Sequence, residues 1–417
     1  MHMTKLSLLS FAVACATFSH AANATEDFSN LFTQGKASLD ARYRFENVDQ
    51  ENALRDAHAQ TLRTRIGLQS GKWYGLSSLI EADNVSRIGD AAYNSTRNGQ
   101  GNYAVVADPD GSEINQALLR YDHQYGSAVL GRQRINLDNQ RFVGGVAWRQ
   151  NEQTYDGALA QLKPIEGLTL SYAYIDQVNT IFGPENGRYD NRSNPANIDG
   201  HSHLINAQYV FAPQLTATAY SYLLDLDNLA ISAAAAEGTL SSQTSGLRLN
   251  GVISGFSYAL EYARQSDYDD NPQELDSEYY LAELGYILKG VQLKAGYEVL
   301  GGDNGPGNRA FQTPLATKHA FQGWADVFLT TPADGIEDLY FGATAPLLGG
   351  TLQAVYHDFA TEQGSDDYGS EIDLSYAHPI PGVKGLVGLV KYASYNSEDE
   401  ARTADTDKFW LQLQYSY

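Results

Sequence analysis

Arg42, Arg44, Arg63 and Arg65 form two Arg-x-Arg pairs near the start of a chain of 417 residues. A planar guanidinium holds a carboxylate through two parallel hydrogen bonds, so a row of arginines is suited to binding and guiding anions. Glu81 and Asp83 repeat the same two-residue spacing with opposite sign, and Asp40 and Glu46 flank the first pair. A spacing of two puts side chains on one face of a strand. If the first two strands pair in simple register about their connection, Arg44 faces Arg63 and Arg42 faces Arg65. Like charges placed opposite each other destabilise a sheet, so something must compensate them. Two readings follow: a ladder neutralised by Asp40, Glu46, Glu81 and Asp83 that stiffens a wall, or a basic track open to carboxylate-bearing solutes. Arg120 and Arg248 extend the positive charge on the same kind of face, as do Lys294 and Lys391, while Asp122, Glu261, Glu283, Glu298, Glu371 and Asp373 make the later segments acidic. Across an enclosed space this would be a transverse field that orders charged solutes.

Covalent chemistry is less well provided for. A barrel hydrolase needs a Ser or Asp beside a rim His, and no nucleophile motif is present. His201 and His203 form a His-x-His pair of the kind that can bind a metal, but no third ligand lies nearby in sequence. The only cysteine, Cys15, falls in an N-terminal apolar run, which leaves no thiolate chemistry beyond it. No catalytic residue, metal or cofactor is therefore expected. A net charge of −22 argues against a nucleic-acid partner.

The elements that must hold these side chains are strands. Phe409, Leu411, Leu413, Tyr415 and Tyr417 alternate with Trp410, Gln412, Gln414 and Ser416, one apolar face against one mostly polar. The same period recurs over 36–46, 61–69, 74–83, 113–124, 126–136, 153–162, 167–177, 200–211, 214–224, 241–252, 255–265, 277–288, 290–300, 336–345, 350–360, 368–378, 384–395 and 406–417. Short connections alternate with long ones along this series, as in bacterial outer-membrane barrels with an even strand number. Counting 321–329 as a strand breaks that rhythm, so it belongs inside a long connection, 301–335, expected to fold inward or over the mouth. The 28 tyrosines and 38 glycines suit tilted strands with aromatic girdles. Lys5, the apolar run to Thr17 and the small residues Ala22 and Ala24 read as a secretory signal. No apolar run long enough for a membrane helix follows. The expectation is an all-β fold, a closed 18-stranded antiparallel transmembrane β-barrel over 36–417. It is preceded by a signal peptide over 1–24 and a short periplasmic segment over 25–35, too short for a plug domain.

Two blocks carry a family resemblance. Leu130 to Asn136 (LGRQRIN) with Asp138 to Gly144 (DNQRFVG), and Phe321 to Asp326 (FQGWAD) with Phe328 to Pro332 and Gly335, resemble the alginate export family of outer-membrane proteins. The resemblance implies an 18-stranded barrel and, in founding members, an arginine-lined conduit for an anionic polysaccharide. It points to Arg132, Arg134 and Arg141, with neighbouring Arg149, and to Trp324 and Asp326 as constriction candidates. The acidic later wall departs from such conduits. The expected function is passive passage of anionic solutes across the outer membrane, including acidic poly- or oligosaccharides such as alginate; a general diffusion porin is the alternative. Expected partners are outer-membrane lipid, lipopolysaccharide, the barrel assembly machinery and the solutes themselves. The acidic connections around Asp267–Asp276 and Glu398–Asp405 read as solvated loops, or as divalent-ion bridges to lipopolysaccharide phosphates.

Overall fold

In a computed structural model, which describes residues 27–184, 192–303 and 305–417, inward and outward faces have the opposite polarity to a water-soluble protein. Along β18 (Thr406–Ser416) the exposed positions include Phe409, Leu411 and Leu413, while Thr406, Lys408, Trp410 and Gln412 are buried. The pattern recurs around the sheet: Ile66, Leu68, Ile80, Leu119, Leu247, Leu260, Leu284 and Phe341 are exposed outward, and Arg44, Arg63, Glu81, Asp83, Glu261, Glu298, Glu371 and Asp373 are buried inward. Only a sheet closed on itself can present apolar side chains to lipid while satisfying every backbone group.

Closure is complete. Eighteen strands run antiparallel in sequence order, and β1 (Lys36–Gln50) pairs both with β2 (Ala57–Gln69) and with β18. The seam extends to the last residue, where the Leu39 and Tyr417 backbones exchange hydrogen bonds at 2.8 and 3.0 Å. Between these lie β3 (Leu76–Arg87), β4 (Gly111–His123), β5 (Gly126–Gln133), β6 (Thr154–Leu162), β7 (Leu168–Asn179), β8 (Asn197–Ala212), β9 (Leu215–Leu224), β10 (Ser242–Ile253) and β11 (Phe256–Asp267). The circuit continues through β12 (Asp276–Leu288), β13 (Val291–Leu300), β14 (Ile336–Leu347), β15 (Gly350–Ala360), β16 (Asp367–Pro379) and β17 (Leu386–Ser397). Each expected strand is present, and 321–329 is not one of them.

β1 begins and β18 ends at the end of the barrel that carries the short turns. Two turns show why they are short: Lys289 and Gly290 (φ 51° and 86°), and Leu348 and Gly349 (φ 48° and 86°), both place two residues in the left-handed region. That is the type I′ geometry whose twist matches flanking strands, with glycine at the second position relieving the strain. Before β1, a short helix α1 (Asn30–Thr33) rests on the β2–β3 turn, where the Gly71 amide donates to the Leu31 carbonyl. Residues 1–24 lie outside the described residues.

One register differs from the sequence reading. Arg42 faces Arg63, Asp40 faces Arg65, and Arg44 faces Thr61, a two-residue shift from the expected Arg44–Arg63 and Arg42–Arg65 pairs. The strands run on to Gln50 and Ala57, so the hairpin closes farther out and at a different offset than a strand ending at 46 suggests.

A charge on the outward face must cost far more than one on the inward face. Leu411→Arg, at the middle of β18, is expected to lower the unfolding free energy by about 2–4 kcal/mol. Gln353→Arg, on the inward face of β15, is expected to leave the unfolding midpoint near that of the parent; urea titration in lipid vesicles compares the two.

Candidate functional site

The inward arginines of β1 and β2 are all engaged. Arg65 makes a bidentate pair with Asp83 (2.5 and 2.6 Å) and lies 3.3 Å from Glu152 and 3.7 Å from Glu81. Arg63 pairs with Asp40. Arg44 donates to Trp148 O and Gln412 Oε1, lies 3.6 Å from Asp108, and stacks its guanidinium 4.1 Å over the Trp148 ring. Arg42 is different: its Nη1 donates to three successive backbone carbonyls, Ala147, Trp148 and Arg149, at 3.1–3.2 Å. Among the described residues no carboxylate reaches ion-pair distance of it. Glu152, Asp108 and these carbonyls belong to connections rather than the wall, so loops drawn into the lumen neutralise much of the ladder.

Two connections fill the lumen. In 134–153, Arg134 pairs with Glu81 and Glu152, while Arg149 bonds Glu46 (3.1 Å) and Asp326 (3.0 Å). Arg141, nearly fully buried, joins this connection to the wall through Glu298 (2.7 Å) and to 301–335 through Gln322 (3.0 Å). In 301–335, Gly323 takes φ +80°, and a Cβ there would overlap the Glu371 carboxylate. That close approach lets Glu371 accept from the Ala325 amide (2.7 Å) while Asp373 accepts from the Trp324 amide (3.2 Å). The loop therefore folds inward, held by two wall carboxylates.

At the centre sits a cluster that joins sequence candidates Lys391, Trp324 and Asp326 to Trp148 and His319, which the sequence reading did not single out. Trp148, Trp324 and Trp410 surround the Lys391 ammonium at 4.3, 3.5 and 5.5 Å from their ring centroids. His319 stacks on Trp148 at 4.5 Å and 5°, with Nδ1 2.8 Å from Asp326 and Nε2 2.7 Å from Lys391 Nζ. Burial pushes the imidazole down to about 3. Neutral, it donates from Nδ1 to Asp326 and accepts at Nε2 from Lys391. Burial by itself would raise the Asp326 carboxyl, but His319, Lys408 and Arg149 outweigh it and hold it well below the usual range. Lys408 and Trp410 were legible from the inward parity of β18. His319 had no such signal, because only the folded connection aims it.

The other candidates are more dispersed. Glu81 and Asp83 sit on the inner face with Arg65 and Arg134. Arg248 pairs with Glu261 across β10 and β11 (2.6 Å), and Arg120 pairs with Asp122 near the turn end. Arg132 pairs with Asp156 on β6 (2.8 Å), and in the β4–β5 register it shares the outward parity of exposed Leu130. It thus lies off the lumen. His201 and His203 also point outward, hydrogen-bonded to Tyr174 and Tyr172. Among the described residues no group of three potential ligands could hold a metal.

Residues 318–326 border two cavities. One, of about 580 Å³, opens among the long connections and is floored by Lys318, His319, Ala325 and Asp326. The other, of about 440 Å³, lies toward the turns against β12–β15 and is roofed by Ala320, Phe321, Gln322 and Trp324. Deleting 301–335 is expected to raise single-channel conductance in a planar bilayer. Gly323→Ala, which pushes Glu371 off the Ala325 amide, should act in the same direction by a smaller step. Conductance unchanged by the deletion would remove the loop from any constricting role.

The family model for alginate export matches residues 40–318, which takes in the 130–144 block and stops short of 321–335. No curated protein matches the sequence significantly. Solved structures share the fold: Pseudomonas aeruginosa OccK9 (OpdG) at 16% identity, TM-score 0.69, covering 93% of this chain and 99% of that one. Acinetobacter baumannii OccAB2 matches at 17% identity, TM-score 0.69, with the same coverage. Pseudomonas aeruginosa OccK3 (OpdO) matches at 17%, TM-score 0.67, covering 93% and 97%.

Proposed function

This chain belongs to the alginate export family, and from that premise we propose that its lumen carries small or oligomeric anionic solutes, acidic saccharides foremost, past Arg42, Arg44, Arg63 and Arg65. The protein is an outer-membrane channel: the family is one of outer-membrane export proteins, and the closed 18-stranded barrel suits that membrane. Family and fold are those of channels rather than enzymes. Lipid meets the outward apolar belt and solutes meet the inward face.

Arg42 carries this reading. Its charge faces peptide carbonyls rather than a carboxylate, so it is the ladder member whose field is least cancelled at close range, and it sits where 134–153 narrows the lumen. Arg134, Arg141, Trp324 and Asp326 act as constriction residues in this proposal, while Arg120 and Arg248, with Glu81 and Asp83, set the charge of the wall on either side. A general diffusion porin is the second reading. It is favoured by the tight pairing of Arg65 with Asp83 and Glu152, which leaves that part of the ladder nearly neutral. Delivery and assembly follow the same proposal: residues 1–24 serve as the secretory signal, the terminal strand is presented to the barrel assembly machinery, and the acidic connections face lipopolysaccharide.

Saturable block separates the readings. Oligouronates added to the bilayer are expected to interrupt the current in a saturable manner that weakens with salt, and a general porin shows no saturation. Replacing the four arginines by glutamine should shift the reversal potential toward cations in a salt gradient, since Asp40 and Asp83 then lose their arginine partner, and Asp108 and Glu152 lose one of theirs. Arg42→Gln alone should produce the clearest single-residue shift, because it orphans no carboxylate. An unchanged reversal potential in the quadruple variant would mean the ladder has no part in selectivity.

A further inference from the structure

The turn-side cavity, of about 440 Å³, is built differently from the arginine ladder. Register puts Gln292, Thr344 and Gln353 side by side on three adjacent strands, β13, β14 and β15, and all three line the cavity. Among the described residues none of these side chains has a hydrogen-bond partner. The next row along the same strands is Lys294, Gly342 and Val355, and there the wall is hollow. A glycine inside a strand often marks the close approach of another group. At Gly285 that group is the Ser257 hydroxyl and at Gly296 the Tyr340 ring, each of which a Cβ would overlap. At Gly342 the nearest described atoms to a Cβ would be Ala354 O, Lys294 Cβ and Val355 Cγ2, each at 3.8 Å, so no protein group fills the gap. The charges of the lining are already matched. Glu283 holds Lys294 (2.9 Å) and the Tyr340 hydroxyl (2.7 Å), Asp338 holds His357 (2.9 Å), Glu298 holds Arg141 (2.7 Å), and Arg248 holds Glu261 (2.6 Å). A solute is left with neutral amides, one hydroxyl and a hollow.

We propose that this cavity is a pyranose-binding site, in which Gln292, Thr344 and Gln353 bond ring hydroxyls, Gly342 makes room for the ring, and Phe321 and Val355 meet its C–H face. Each glutamine offers donors and an acceptor, and the threonine hydroxyl is both at once. Neighbouring sugar hydroxyls, which also donate and accept, therefore find complementary partners along the row. A ring of the same shape without hydroxyls would cover those amides and leave them unpaired. The volume and the mix of a few placed polar groups with apolar surface are those of a small-molecule site. The inference stands beside the anion reading rather than on it: the ladder reads charge, this cavity reads hydroxyls, and an acidic saccharide carries both.

Methyl β-glucopyranoside and tetrahydropyran-2-methanol test this. Both are uncharged six-membered rings with a ring oxygen and a hydroxymethyl group, and only the glucoside has a row of ring hydroxyls. Binding to the purified full-length protein, in micelles of a detergent without a sugar headgroup, is read by saturation-transfer difference NMR from the ring protons. The glucoside should give a saturable signal with a Kd at least about tenfold below that of the tetrahydropyran. Gly342→Leu, which fills the hollow, should abolish the glucoside signal. Gly342→Ala, whose Cβ makes only ordinary contacts, should weaken it by a smaller factor. Gln292→Leu combined with Gln353→Leu should weaken the glucoside about tenfold without weakening the tetrahydropyran. Heat-modifiable gel mobility identifies variants that have formed the barrel. Equal signals from the two rings, or a glucoside signal unchanged in Gly342→Leu or in the double glutamine variant, overturns the proposal. Binding is read without current, so the two readings fail separately. If the glucoside behaves as described but the reversal potential ignores the four arginines, this site stands and the anion reading falls; the converse result keeps the anion reading and removes the site.

Discussion

Arg42 and Arg63 lie opposite each other on the inner face of a closed wall, and two cations so placed repel unless something else intervenes. Much of what fills this barrel is the intervention. Asp40 takes Arg63; Asp108 comes from 88–110 to Arg44; Glu152 comes from 134–153 to Arg65 and Arg134; the carbonyls of 147–149 take Arg42. Removing one member of a buried ion pair strands its partner in a poor solvent, at several kcal/mol. The connections are thus held inward by the wall's unpaid charge, and the constriction is a consequence of that pairing.

The second connection follows the first. Once 134–153 is seated, Arg149 and Arg141 face the middle of the lumen with spare donors, and 301–335 supplies Asp326 to one and Gln322 to the other. The acidic half of the wall, where a simple anion conduit would be basic, then has a local use. Glu371 binds the amide of Ala325, Asp373 that of Trp324, and Glu298 binds Arg141. The carboxylates of the later strands serve the loop before they serve the solute, so the transverse field suggested by sequence is largely spent inside the protein.

The wall was legible in sequence because a strand writes its two faces with period two and lipid tolerates little deviation from it. Eighteen strands, their order and their inward parity could be read that way, Lys408 and Trp410 included. The β1–β2 register could not, because the apolar pattern fades where the strands leave the membrane, and only the pairing shows that β1 reaches Gln50. The partners of the arginines were equally hidden. Arg42 meets residues 147–149, Arg141 meets Glu298, and Arg149 meets Asp326; no local pattern connects positions so far apart. Arg132 shows the converse, a motif residue whose place in the block suggested the lumen but whose parity with Leu130 directs it outward.

This arrangement also bears on polymer passage. A chain of sugars long enough to occupy both cavities at once would cross the layer of His319, Trp324, Asp326 and Trp410, each nearly buried and each bonded or stacked to the wall or to the other connection. Such a layer yields as a unit, since freeing Asp326 alone leaves Lys408 buried without its ion-pair partner and Arg149 without one of its two closest carboxylates. A solute that brings its own carboxylate avoids that penalty, because it replaces the pairing that it breaks. The same internal neutrality that holds the connections in the lumen would then favour anions over neutral solutes of equal size, with no net positive charge required of the channel.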